Sequence, residues 1–143
     1  SDVYKRQFTM TDADVITRYL VQGEEILAWA KQRQIAGIWP IKPNYVVLTN
    51  RRFLVIEPSL LTCSFSDIHL IDFQDIHIKE HIFGATITCT SLDGKQLISS
   101  CLNSQTAIAV YQAGQEVEEN ARELRRQRQM EEARAAATNI TMG

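Results

Sequence analysis

His77, Glu80 and His81 stand in the pattern H-x-x-E-H, within "HIKEH". On a helix that spacing brings two imidazoles to one zinc ion and is a signature of zinc proteases. The flanking "DFQDI" and "IFGATITCT" alternate as strands do. Two residues four apart on a strand lie roughly 13 Å from each other at ~3.3 Å per residue, too far to share one metal. Both histidines are therefore read as exposed strand residues. Other catalytic patterns are missing from the sequence. No G-x-S-x-G occurs, Lys95 in "SLDGK" reads as a solvated residue beside a hairpin turn, and Cys63, Cys89 and Cys101 read as reduced, small residues of core or sheet. No catalytic residue, metal or cofactor is expected.

Two stretches remain that can bind. "TNRRF" (Thr49 to Phe53) is a compact basic cluster among the strands. Arg51 and Arg52, with Lys42 nearby in sequence, can present cations to phosphate or carboxylate groups, and the same residues also suit a polar hairpin tip. "GIWPIKP" (Gly37 to Pro43) has loop-forming glycine and prolines yet carries Ile38, Trp39 and Ile41, which proteins normally hide. Ile38, Trp39, Ile41, Lys42, Arg51 and Arg52 are thus the candidate contact residues. For the loop, three readings stand: a plug on its own domain, a protein interface, or a membrane anchor.

These residues need elements to carry them. Thr11 and Asp14 form a capping box for a short helix over roughly 12–20. Residues 24–37, "EEILAWAKQRQIAG", have helical composition, although Leu27, Trp29, Lys31 and Arg33 also alternate with alanines. "YVVLT" and "RFLVIE" are two strands about a tight turn, whose polar tip sets the register so that Phe53, Val55 and either Leu54 or Ile56 alternate into and out of the core. "CSFSDIHLIDF" and "DIHIKEHIF" continue the alternation, and "GATITCTSLDGKQLISSCL" is a hairpin about Asp93-Gly94. About seven short strands joined by brief turns, without a helical crossover, make an antiparallel meander or barrel. From Asn103 or Ser104 one long helix follows, with Ala107, Val110, Tyr111, Gly114, Val117, Ala121 and Leu124 at spacings of three and four. Beyond Leu124 the stripe lapses, and residues 115–135 carry six acidic and five basic side chains. That end reads as a solvated extension or as a contact helix for another subunit.

Length and charge narrow the classes. The 143 residues suit one domain, and 45% hydrophobic against 22% charged residues with a net charge of −2 describe an ordinary globular chain. Nucleic-acid binding through a basic, aromatic sheet is excluded, because residues 20–102 hold seven basic and eight acidic side chains. No stretch has the ~18 apolar residues of a membrane span or the apolar centre of a signal peptide, so a cytoplasmic protein is expected, with peripheral membrane attachment as the alternative. The leading "SDVYKRQ" resembles translated adaptor sequence, and residues 1–10 are set aside as a tail. A single domain is expected over 11–130, with 131–143 as helix end and flexible tail.

Taken together, "EEILAWAKQRQIAGIWPIKPNYVVLTNRRFLVIEPSLL", the alternating run to "GKQLI" and the long helix resemble the bacterial pleckstrin-homology (PH)-like domains, particularly the YokE-like group. "VVLTNRRFLVI" is the most specific piece. The resemblance covers about 22–130 and implies a mainly β (α+β) fold: seven strands in two sheets as a partly open antiparallel barrel, capped by a long C-terminal helix, with a short N-terminal helix besides. It also implies that residues 25–35 form the first strand. Phosphoinositide-binding members of the family use basic residues around the first two strands. Here that region offers Lys31, Arg33 and Lys42 beside an apolar loop. The implied function is a non-catalytic binding or scaffolding module, a homo-oligomer or protein binder, with weak binding of anionic phospholipid as the alternative.

Overall fold

The computed structural model describes residues 11–34, 42–59 and 61–142, and side chains through residue 139. The apolar part of the loop at 35–41 therefore lies outside the described residues. The chain opens with α1 (Asp12–Thr17), whose capping box forms as its sequence dictates. Asp14 N donates to Thr11 Oγ1 and Thr11 N to Asp14 Oδ2, each over 3.2 Å. The helix stops short of residue 20. Thr17 turns its hydroxyl back onto Ala13 O at 2.8 Å, a bond that competes with helix propagation.

Four strands follow as an antiparallel sheet in the order β1 (Ile26–Lys31), β2 (Tyr45–Thr49), β3 (Arg52–Pro58), β4 (Cys63–His69). The helical composition of residues 24–37 is overridden, and β1 pairs along β2 from Ile26 opposite Thr49 to Lys31 opposite Tyr45. The alanines have a packing reason. Ala28 and Ala30 face the main core, where small side chains let a helix lie close, while Leu27 and Trp29 point outward.

β2 and the first five residues of β3 are buried on both faces. Val46, Leu48, Phe53 and Val55 enter the main core; Tyr45, Val47, Leu54 and Ile56 enter a second cluster closed by Ile16 of α1. Successive residues of β3 do alternate between two faces, but neither face meets solvent, because α1 roofs the outer one. Such strands read as continuous apolar runs rather than alternations.

A 3-10 turn (Leu70–Asp72) leads to a second antiparallel sheet, β5 (Phe73–His81), β6 (Gly84–Ser91), β7 (Gln96–Leu102). Its last hairpin turns at Gly94, whose φ of +91° suits glycine. The sheets do not close into a full barrel. They join at one corner, where Gln32 bridges to Leu102 and Asn103 N donates to Lys31 O at 3.0 Å. Finally α2 (Ser104–Met142) starts where Asn103 Oδ1 accepts from Thr106 N. Its first half covers β1, β5 and β6, with Ala107 and Val110 fully buried.

Candidate functional site

The connection between β1 and β2 and that between β3 and β4 emerge at one end of the first sheet. Between them and α1 lies a cleft of about 440 Å³, walled by Val15, Tyr19, Lys42, Pro43, Tyr45, Pro58 and Cys63 among others. Its walls are fixed by polar bonds. Asn44 N donates to Gln32 Oε1 at 3.0 Å and pins the root of the apolar loop. Tyr45 donates its hydroxyl to Asp12 Oδ1 at 2.7 Å, and Lys31 Nζ approaches the same oxygen at 3.2 Å. Burial, then the hydrogen bond to Asp12 and its charge, raise the Tyr45 phenol above its ordinary value, so it stays a neutral donor. Tyr19 packs at a tilt on Phe65, their centroids 5.3 Å apart, and its hydroxyl meets Cys63 Sγ. The cleft thus offers aromatic and proline faces with the exposed Lys42 at its rim, chemistry that suits an apolar group bearing an anion or acceptor.

Of the six candidate contact residues, Ile38, Trp39 and Ile41 lie outside the described residues. The other three do not come together. Lys42 precedes β2 and Arg51 follows it, so the five-residue strand, roughly 16 Å at ~3.3 Å per residue, puts them at opposite ends of the sheet. Arg51 is exposed there.

Arg52 is a correction to the cationic-face reading. Only 8% exposed, it aims its guanidinium inward. Nε donates to Glu24 Oε2 at 3.0 Å, Nη2 to Glu24 Oε1 at 3.1 Å, and Nη1 to Asp67 Oδ2 at 2.8 Å. Nη2 also reaches Tyr19 O. A guanidinium so engaged ties α1's exit, the hairpin and β4 together and offers no cation to a partner. Glu24 escaped sequence reading because 28 residues separate it from Arg52 and no local spacing signals a pair that tertiary contact creates.

The H-x-x-E-H segment is the end of β5, as its strand-like flanks require. His77 lies 3.6 Å from Asp75, and His81 shares a hydrogen bond with Thr86 across the hairpin. Among the described residues no three potential metal ligands gather. Lys95 is better fixed than expected, its Nζ donating to Asp67 O at 2.9 Å and strapping the β6–β7 turn to β4.

The order of seven strands and a C-terminal helix, with the cleft at the β1–β2 end, coincides with a family match: the model of the bacterial PH domain covers residues 20–116, from before β1 into α2. The chain belongs to the bacterial PH domain family. A search of curated proteins returns no match. PH domains are in general non-catalytic modules that mediate protein or lipid interactions, and the two incompletely joined sheets with their helix fit that fold. Among the described residues of this PH domain no helix is long and apolar enough to cross a membrane.

Proposed function

We propose that this PH domain, whose "VVLTNRRFLVI" hairpin resembles that of the YokE-like group, is a non-catalytic cytoplasmic scaffold that self-assembles through α2 and receives a protein partner at the loop end around Lys42. The observation that carries the reading is the course of α2. Its first half rests on the sheets, yet from Arg126 to Asn139 every side chain is exposed, a length of helix that its own domain does not support. The phosphoinositide alternative finds less support, since Lys31 is already bonded to Asp12 and Arg52 is buried. Light scattering coupled to gel filtration tests the proposal: a stable oligomer is expected, and a compact monomer at the highest soluble concentration overturns it.

A second reading, peripheral attachment to anionic membranes, is favoured by one observation: Lys42 is exposed at the end of a sequence bearing Ile38, Trp39 and Ile41. Flotation with anionic vesicles, comparing the wild type with Trp39→Ala, decides it. Absence of co-flotation at low salt removes that reading.

A further inference from the structure

Between the 3-10 turn and α2 runs an apolar groove of about 200 Å³, walled by Leu70, Ile71, Val117, Ala121 and Leu124, with Arg125 and Arg128 at its rim. Ile71 is 78% exposed and Leu124 58%, so the described residues of the domain leave the groove uncovered. The groove side of α2 continues past the body with a period of 3.5: Val117, Ala121, Leu124, Arg128, Glu131, Ala135, Thr138. Arg128, Glu131 and Glu132 make no ion pair among the described residues, although Arg122 pairs with Glu118 and Arg126 with Glu123 on the same helix.

This stripe is complementary to itself when reversed. About a two-fold axis between residues 129 and 130, Arg128 falls opposite Glu131, Leu124 opposite Ala135 and Ala121 opposite Thr138, each pair occurring twice. On the flank Arg125, whose Nη1 donates to Phe73 O at 3.1 Å, falls nearest Glu132 in the same register. Thr138 has its hydroxyl bonded to Arg134 O at 2.9 Å, which leaves its methyl for the seam. The small Ala135 lets Leu124 approach closely. Lengths agree as well: residues 129–142 make roughly 21 Å of helix, and the groove side from Val117 to Arg128 roughly 17 Å, at ~1.5 Å per residue. Because the axis lies beyond the packed half of α2, the two domains sit at opposite ends of the pair.

We infer that α2 pairs antiparallel with α2 of a second copy, Arg128 against Glu131, each helix end covering the other domain's Leu70–Leu124 groove. The inference rests on the self-assembly reading and names its surface, which lies largely outside the family match at 20–116. Light scattering of the full chain tests it with three variants at exposed positions. The wild type is expected to be a dimer. Arg128→Glu and Glu131→Arg each set like charges together twice and should weaken the dimer by at least about tenfold. The double variant Arg128→Glu/Glu131→Arg restores opposite charges and should recover it. An oligomer indifferent to Arg128→Glu, or a double variant that stays monomeric, overturns the pairing while leaving self-assembly standing. A monomeric wild type overturns both.

Discussion

Arg52 grips Glu24 with two nitrogens, Nε to Oε2 at 3.0 Å and Nη2 to Oε1 at 3.1 Å, and the glutamate side chain they hold is sealed from solvent. Removing one partner strands a buried charge. Arg52→Ala is expected to lower the free energy of unfolding by about 3 kcal/mol, whereas Arg51→Ala, one residue earlier and exposed, should change it by less than ~0.5 kcal/mol. Urea denaturation of both variants is the check, and equal losses would contradict the buried-pair account.

The same pair sets an acid limit. Burial by itself would raise the Glu24 carboxyl. Hydrogen bonds from Arg52, Thr49 and Val21 N, with the Arg52 charge, outweigh it and hold the group down to about 2 from an ordinary 4.5. A carboxyl depressed on folding stabilises the native state above its unfolded value, and that stability drains as pH falls from about 4.5 toward about 2. On the order of 2 kcal/mol should be lost across this window, allowing for solvent screening. Glu24→Gln is expected to be less stable at neutral pH and to show a shallower fall in urea midpoint over that range.

Gly114 marks where α2 presses on β5. A Cβ there would stand 2.7 Å from Ile76 Cδ1 and 3.1 Å from its Cγ2. Alanine improves helix propensity by about 1 kcal/mol, but crowding in a packed core costs about 1–3 kcal/mol. Gly114→Ala should therefore lower the melting temperature in the wild-type background. With Ile76→Val, which removes Cδ1 and leaves only the 3.1 Å approach to Cγ2, the same substitution should cost less.

The cysteines should separate by reactivity. Burial first, then the charges of Asp75 and Glu118, push the Cys89 thiol up to about 12, whereas Cys63 is exposed on β4. Alkylation of the native protein at mildly alkaline pH, followed by mass spectrometry, is expected to label Cys63 and to spare Cys89 until denaturant is added. Prompt native labelling of Cys89 would contradict its place in the core.

Much of the fold could be read in advance wherever a short stretch holds its own instructions. The Thr11–Asp14 capping box, the β2–β3 turn and the Asp93-Gly94 hairpin all formed where their residues place them. Composition misled at β1. Glu, Ala, Leu and Lys favour a helix by tenths of a kcal/mol per residue, and a strand-length set of hydrogen bonds to β2 outweighs that preference. The alternation of Leu27 and Trp29 with Ala28 and Ala30 left a strand open, and the resemblance pointed to it.

The contact residues divide along the same line. That "HIKEH" is no helical metal site follows from alternation in its own neighbours, a local property. Lys42 and Arg52 look adjacent in the chain because β2 is short in residues, but an extended strand is long in ångströms, and it carries them to opposite ends. The sequence by itself determined the elements other than β1, their turns and the absence of a catalytic signature, since these rest on periodicity and local hydrogen bonding. Tertiary structure alone decided that α1 buries the second face of the β2–β3 hairpin, that Arg52 serves Glu24 rather than a ligand, and that the groove beside Leu124 is open. Each depends on groups far apart in the chain, and side-chain burial is a property of what packs against a residue rather than of the residue itself.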